Sequence, residues 1–411
     1  MNKLIIFLIC VVSCSGFTQQ KYTGQTIEEI LTLPEEEIDL GLAVLLLAKE
    51  VYPDIDINNY LNLLDRMAYT VHKISGGSND PDIRIGSMNT FLYRKGRWNS
   101  GWTFEYDPVD SLAQELRNKF LNKYLDAHIG SCVTMPMLHI VLAQRLGWPI
   151  YAVCSPKHFF CRYIAPGFEE SNIDATVSGG FINDARYIRE DPIPQKALDN
   201  GVYMRTLSHK EYLARLLTVT SNAFYRQDKI DKSLYFLQIA ARLDSTDSAA
   251  LWNLGTCHYW KAYQLRDRMN REIQMHLTAM ELEQPIKQQN SLLPRNRKGM
   301  PDERFLTATS AWDIIRPPMA NTNKTSGIIT MPEVPSIPGQ STGLPGHPLT
   351  SNTPDNLLND MSIFTDIEVK YVPQIRELLQ IARSYRKQAK ALGIVINTPE
   401  LYYDSHPEIK H

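Results

Sequence analysis

Apolar residues recur about every three to four positions through the first third of the chain, the spacing of one face of a helix. Thr26, followed by Glu28 and Glu29, reads as an N-cap with acidic residues in the first turn. Leu40, Leu42, Val44, Leu45, Leu46 and Leu47 predict a strongly apolar helix that stops near Tyr52-Pro53. Tyr60, Leu61, Leu63, Leu64, Met67 and Ala68 predict another, broken by Gly76-Gly77-Ser78-Asn79-Asp80-Pro81. After a short apolar run from Met88 to Tyr93, Asp107-Pro108-Val109-Asp110-Ser111 reads as a helix start, with helical periodicity from Leu112 to Tyr124. The next helix is predicted from about Cys132 to Leu146, closed by Gly147 with Pro149 beyond it. The pattern then changes. Ile150–Val153 and Phe159–Tyr163 read as strands joined at Pro156-Lys157, and a third strand surrounds Asn172-Ile173-Asp174 before Gly179-Gly180. The expected class is α+β, with helices packed on a small antiparallel sheet.

Residues 210–290 return to helical spacing. Leu217, Ser221 and Tyr225 recur as Leu251, Gly255 and Tyr259, a period of 34 residues, with Ser233, Leu237 and Ala240 between them. This resembles a tetratricopeptide repeat (TPR), a helix pair that buries its apolar face against neighbours. A second repeat is only partial, because Asp267 and Arg271 stand where small and apolar residues belong. Residues 291–360 are rich in Pro, Ser, Thr, Asn and Gly and read as a flexible linker. Residues 361–395 hold a final amphipathic helix, Ile363 to Leu392, suited to docking on the repeat pair.

Residues 1–20 read as an export signal. Lys3 supplies the positive end, Ile5 to Val12 a short apolar stretch, and Ser13, Ser15 and Gly16 the small residues of a cleavage site. Val11-Val12-Ser13-Cys14 also fits a lipoprotein signal, in which Cys14 carries lipid. Ordinary cleavage and lipidation both stay open. The chain is expected in the periplasm or cell envelope, touching membrane only through a lipid at Cys14.

Composition narrows the function classes. With 411 residues, 43% of them apolar, the chain has material for more than one domain. A net charge of −2 and no Lys/Arg-rich run argue against a nucleic-acid partner. Beyond Cys10 and Cys14 there are four cysteines, Cys132, Cys154, Cys161 and Cys257, too few for a disulfide framework in a chain this long.

The candidate chemistry centres on Gly130-Ser131-Cys132. A sulfur at a helix start meets backbone N–H groups and a positive dipole end, which favour thiolate over thiol and offer donors to an oxyanion. His158 lies at the turn of the strand pair, as the base that would take and return the proton. Asp174, on the third strand, would orient the imidazole. A zinc set of Cys132, Cys154, His158 and Cys161 has an unusual spacing, so neither metal nor cofactor is expected. For Cys154 and Cys161, buried thiols are the simpler reading than a disulfide. His128 and His139 flank the nucleophile, as packing or surface residues or as aids to substrate binding.

The segments Gly130–Leu138, Ala143–Ile150, Ser155–Tyr163 and Asn172–Thr176 together resemble the transglutaminase-like superfamily of papain-like cysteine enzymes. Within it they resemble the SirB-type branch, which joins such a domain to tetratricopeptide repeats. Ile38–Val71 and Glu105-Tyr106-Asp107 share the likeness, which covers about residues 25–260. The resemblance implies a domain over residues 21–209 and a Cys132-His158-Asp174 triad. It also implies attack on a peptide or carboxamide carbonyl of a protein or peptide substrate to form a thioester, completed by water in hydrolysis, the preferred outcome because no amine site is readable, or by an amine in transfer. Many members of that branch lack the cysteine and this chain retains it. The alternative is an inactive scaffold that binds a partner protein through its TPR-like helices.

Overall fold

The computed structural model describes residues 25–110, 113–156, 158–168, 172–190, 192–291 and 356–394. The expected export signal lies outside them, as does nearly all of the expected linker. The described residues fall into two compact units, one holding residues up to Asn253 with 388–394, the other holding described residues within 254–387.

The first unit is mostly helical with two small sheets. Thr26 and Glu29 form a reciprocal capping box on Ile27–Thr32. The helix Leu40–Val51 is buried without interruption from Leu40 to Ala48, so it runs through the interior rather than along the surface. Ile57–Ser75 buries one stripe, Ile57, Leu61, Leu64, Met67, Ala68, Val71 and Ser75, and ends where Gly76 adopts a left-handed φ of 61°. Pro81–Tyr93 follows, with Asp80 as its cap. The central helix is Thr134–Arg145, buried at every position from Thr134 to Ala143. Its C-terminal end is stitched down: Gln144 donates to the Ile38 carbonyl and accepts from the Leu40 N–H. Arg145 pairs with Asp39 and Asp65.

Two short strands, β1 (Glu105–Tyr106) and β2 (Ile129–Gly130), pair in parallel just before this helix. After it come β3 (Ile150–Ser155), β4 (His158–Tyr163), β5 (Asn172–Asp174) and β6 (Gly180–Phe181), an antiparallel sheet in sequence order. β3 and β4 pack on the central helix, so one helix and one hairpin make the heart of the unit.

Two local expectations change. The central helix begins at Thr134 rather than Cys132, with Val133 as its cap residue. The helix expected over Leu112–Tyr124 is replaced by a 3-10 turn, Leu116–Lys119, and a short helix, Leu121–Ala127. The cause is two carboxylates. Asp107 accepts from the N–H groups of Val109 and Asp110, and Asp110 accepts from those of Gln114 and Glu115. Asn118 donates to both. Asp107 thus makes the bonds of a helix cap, but Asp110 takes the N–H groups of Gln114 and Glu115 that a helix would have bonded to backbone carbonyls, and Ala113 turns to a positive φ of 51°.

Packing does not pause near residue 210. The helix His209–Tyr225, capped by Ser208 and Glu211, lies on Leu40–Val51 and on Ile230–Leu243. The Tyr212 ring meets Phe159 of β4 edge-on at 6.1 Å. The Arg215 guanidinium is buried between Asp244 and Asp247. Residues 210–253 therefore share the unit that holds residues 25–209.

The second unit consists of stretches of two long helices, Ser248–Ser291 and Asn356–Leu392. Gly255 allows close approach, since a Cβ there would lie 2.9 Å from the Ala382 carbonyl oxygen. His258 meets Tyr385 with ring centroids 5.6 Å apart, and Tyr371 donates to Glu272 at 2.7 Å. Among the described residues no helix is long and apolar enough to cross a membrane.

Candidate active site

The site is assembled from the turn before the central helix. Ser131 anchors it: its hydroxyl donates to the Asn118 carbonyl at 2.6 Å and accepts from the Val133 N–H at 3.0 Å. The Ser131 N–H donates to Thr134 Oγ1 at 3.0 Å, and the Met135 N–H to the Ser131 carbonyl. Gly130 is required on steric grounds, because a Cβ would sit 2.4 Å from the Tyr124 ring and 2.5 Å from Thr134 Oγ1. This turn holds Cys132 with 9% of its surface exposed. Several helix-start donors expected to face an oxyanion are thus already used within the turn.

His158 opens β4, opposite Ser155 of β3. Asp174 closes β5, and the antiparallel register that pairs Cys161 with Ile173 brings it alongside. His158 Nε2 lies 2.9 Å from Asp174 Oδ2. The same imidazole is hydrogen-bonded to Cys132, which leaves Nδ1 as the nitrogen facing the sulfur. The structure thus brings Cys132, His158 and Asp174 into one chain of contacts.

Asp174 is held on both oxygens. Oδ1 accepts from the Thr176 N–H at 2.9 Å and the Thr176 hydroxyl at 2.7 Å. Oδ2 accepts from His158 and from the Tyr187 hydroxyl, each at 2.9 Å. Burial alone would raise its pKa, but the hydrogen bonds and charge of His158, with those of Thr176, bring it down to about 2. Burial alone would lower His158; the Asp174 carboxylate and the Cys132 sulfur outweigh it and raise the imidazole to about 10.

Three further residues bear on the site, and the sequence reading assigned none of them a role. Tyr187 donates to Asp174 and stacks on Phe160 at 4.1 Å, yet no motif surrounds it. Lys119 is 5% exposed. Burial and the Arg226 charge push it down to about 7, against the pull of Asp110 and Cys132. Tyr106, half-buried, is pushed up to about 12 by burial and then by Cys132, the first of four acidic neighbours. It falls in the Glu105-Tyr106-Asp107 run that carried part of the family likeness, so a signal for it existed.

The other flanking residues lie elsewhere. His139 is wholly buried, its Nδ1 3.4 Å from the Tyr93 hydroxyl, and burial lowers it to about 4. It is a core residue. His128 takes a left-handed φ of 57° and packs on Phe104 and Trp102. The four described cysteines are buried and form no disulfide. The Cys154 thiol donates to the Val202 carbonyl and that of Cys161 to the Pro136 carbonyl, each at 3.7 Å. In the β3–β4 ladder they oppose Phe159 and Ala152, not each other.

Comparison with known proteins agrees with this architecture. Residues 58–218 match the Transglutaminase-like superfamily. A UPF0162 protein of Xylella fastidiosa strain Temecula1 is 26% identical over 211 residues, covering 50% of this chain and 71% of the relative. A UPF0162 protein of strain 9a5c is 23% identical over 256 residues, covering 60% and 87%. A transglutaminase-like domain therefore spans residues 58–218.

Proposed function

We propose that this chain is a cysteine hydrolase that cleaves a peptide or carboxamide bond through a thioester on Cys132. The observation that carries the reading is the 2.9 Å bond between His158 Nε2 and Asp174 Oδ2, with Cys132 bonded to the same ring. Asp174 holds the proton on Nε2, so Nδ1 faces the sulfur. With the imidazole raised to about 10, His158 at neutral pH also carries on Nδ1 the proton given up by Cys132, and the sulfur attacks the carbonyl carbon. A C–S bond forms, and the carbonyl π electrons move to oxygen. When they return, the C–N bond breaks and His158 protonates the leaving nitrogen. Water then attacks the thioester while His158 takes its proton, and the S–C bond breaks with its electrons on sulfur, which releases the acid and restores the starting pair of sulfur and protonated imidazole.

Only 9% of Cys132 is exposed, and this favours a second reading: an inactive scaffold that binds a partner. In that reading the packed helices His209–Tyr225 and Ile230–Leu243 serve as a TPR-like docking element. Iodoacetamide labelling separates the two. The hydrolase reading expects Cys132 to alkylate faster than free cysteine and the signal to vanish in Cys132→Ala; labelling no faster than free cysteine supports the scaffold. Envelope extract unchanged by wild type relative to Cys132→Ala counts against hydrolysis.

The same proposal includes export through residues 1–20, with or without lipid at Cys14, and an envelope protein or peptide as substrate. Fractionation of cells carrying the wild-type chain and Cys14→Ala tests the lipid: a membrane-bound wild type and a soluble variant support it.

A further inference from the structure

Carbonyl attack places negative charge on an oxygen, and the site needs donors aimed at that oxygen. The turn around Cys132 has already committed several. The N–H groups of Ser131, Val133 and Met135 are taken by Thr134 Oγ1, Ser131 Oγ and the Ser131 carbonyl. A donor from another element would complete the hole.

Tyr106 lies on the strand that pairs with the start of this turn, β1, in register with Gly130, two residues before the sulfur. Its backbone is clamped on both sides: the Glu105 N–H donates to the His128 carbonyl at 2.8 Å, and the Asp107 N–H to the Gly130 carbonyl at 2.7 Å. Asp107 is itself locked by the Val109 and Asp110 N–H groups and by the Arg117 and Asn118 side chains. β1 also lies against the turn Ala175–Val177 that follows Asp174, so it borders the nucleophile on one side and the acid's turn on the other. The side chain keeps partial access to solvent, as a wall of a substrate cleft must. Burial first, and then Cys132, Asp110, Asp107 and Asp174, disfavour loss of its phenolic proton, so the group is a donor at neutral pH.

We infer that Tyr106 is a further catalytic residue, whose phenolic O–H donates to the oxyanion formed when Cys132 attacks a carbonyl. This inference rests on the hydrolase reading, and two probes keep them apart. Iodoacetamide reacts by displacement of iodide at a saturated carbon, with no charge developing on oxygen, and so reports the sulfur alone. p-Nitrophenyl acetate reacts at its carbonyl: the S–C bond forms, the oxyanion collapses, and the C–O bond breaks to release p-nitrophenolate.

The full-length wild type and Tyr106→Phe are treated with both, with Cys132→Ala as background. Phe keeps the ring and its packing, and an unchanged unfolding midpoint checks this. The expected result is an unchanged iodoacetamide rate and a fall of about 100-fold in p-nitrophenolate release. Unchanged release, or an equal fall with both probes, overturns the role of Tyr106. Wild-type alkylation no faster than free cysteine overturns the hydrolase reading first, and the role of Tyr106 with it.

Discussion

Tyr187 and His158 donate to the same oxygen of Asp174, Oδ2, each at 2.9 Å. A carboxylate with two donors on one oxygen and Thr176 on the other cannot rotate away from the imidazole. The Tyr187 hydroxyl therefore acts on the candidate nucleophile through two intermediaries. Tyr187→Phe removes this donor but keeps the stack on Phe160. Loss of one bond to a buried charged group is expected to cost about 1.5–3 kcal/mol in stability. Iodoacetamide labelling of Cys132 is expected to slow severalfold. Urea unfolding and alkylation kinetics check both; an unaltered alkylation rate would separate Tyr187 from the site.

The His158–Asp174 pair makes stability depend on pH in a defined direction. The imidazole rises from 6.5 to about 10 on folding, so its contribution is complete below pH 6.5 and is lost as pH rises toward 10. The carboxyl falls from 3.8 to about 2, so its contribution is complete above pH 3.8 and is lost as pH falls toward 2. Asp174→Asn is thus expected to destabilise the chain most between about pH 4 and 6.5. Denaturation of both proteins across the range checks it, and a difference independent of pH would contradict the pairing.

Lys119 slopes the other way. Its pKa falls from 10.5 to about 7 on folding, so the folded state holds fewer protons between these values. Its burial penalty is full below pH 7 and fades as pH rises to 10.5. Lys119→Met keeps the volume and removes the charge. It is expected to stabilise the chain by about 1–4 kcal/mol below pH 7, with the gain shrinking toward pH 10.5. Thermal unfolding at pH 6 and pH 10 reads the difference directly; equal shifts at the two values would rule this account out.

Arg215 ties the helix His209–Tyr225 to the loop after Leu243. It donates to Asp244 and Asp247 with nearly all of its side chain buried, and reaches the Val202 carbonyl as well. Arg215→Ala leaves two buried carboxylates without their main cation, expected to cost about 3–5 kcal/mol. The loss should be smaller at low pH, where the carboxylates can protonate. Urea denaturation at pH 7 and pH 4 checks this.

Much of the site was legible because its elements are local. Gly130-Ser131-Cys132 before an apolar helix, His158 at a hairpin turn and Asp174 on the following strand are each marked by a short stretch of residues. Sheet register converts that order into proximity, since β4 and β5 are antiparallel neighbours and the start of one lies beside the end of the next. The helices Leu40–Val51 and Ile57–Ser75 were legible for the same reason: their apolar period is a property of neighbouring residues.

What the linear chain could not display were interactions whose partners are chosen by the fold. The periodicity from Leu112 to Tyr124 was real, but the Asp110 carboxylate captures the N–H groups of Gln114 and Glu115 first, and its position depends on three-dimensional closure. Tyr187, Lys119 and Tyr106 look like ordinary core or surface residues until the sheets and the central helix bring them beside Asp174 and Cys132. Local sequence thus determined most of the elements and pointed to the candidate reactive groups. Tertiary structure alone decided their electrostatics, because burial and charge at a site are set by everything packed around it.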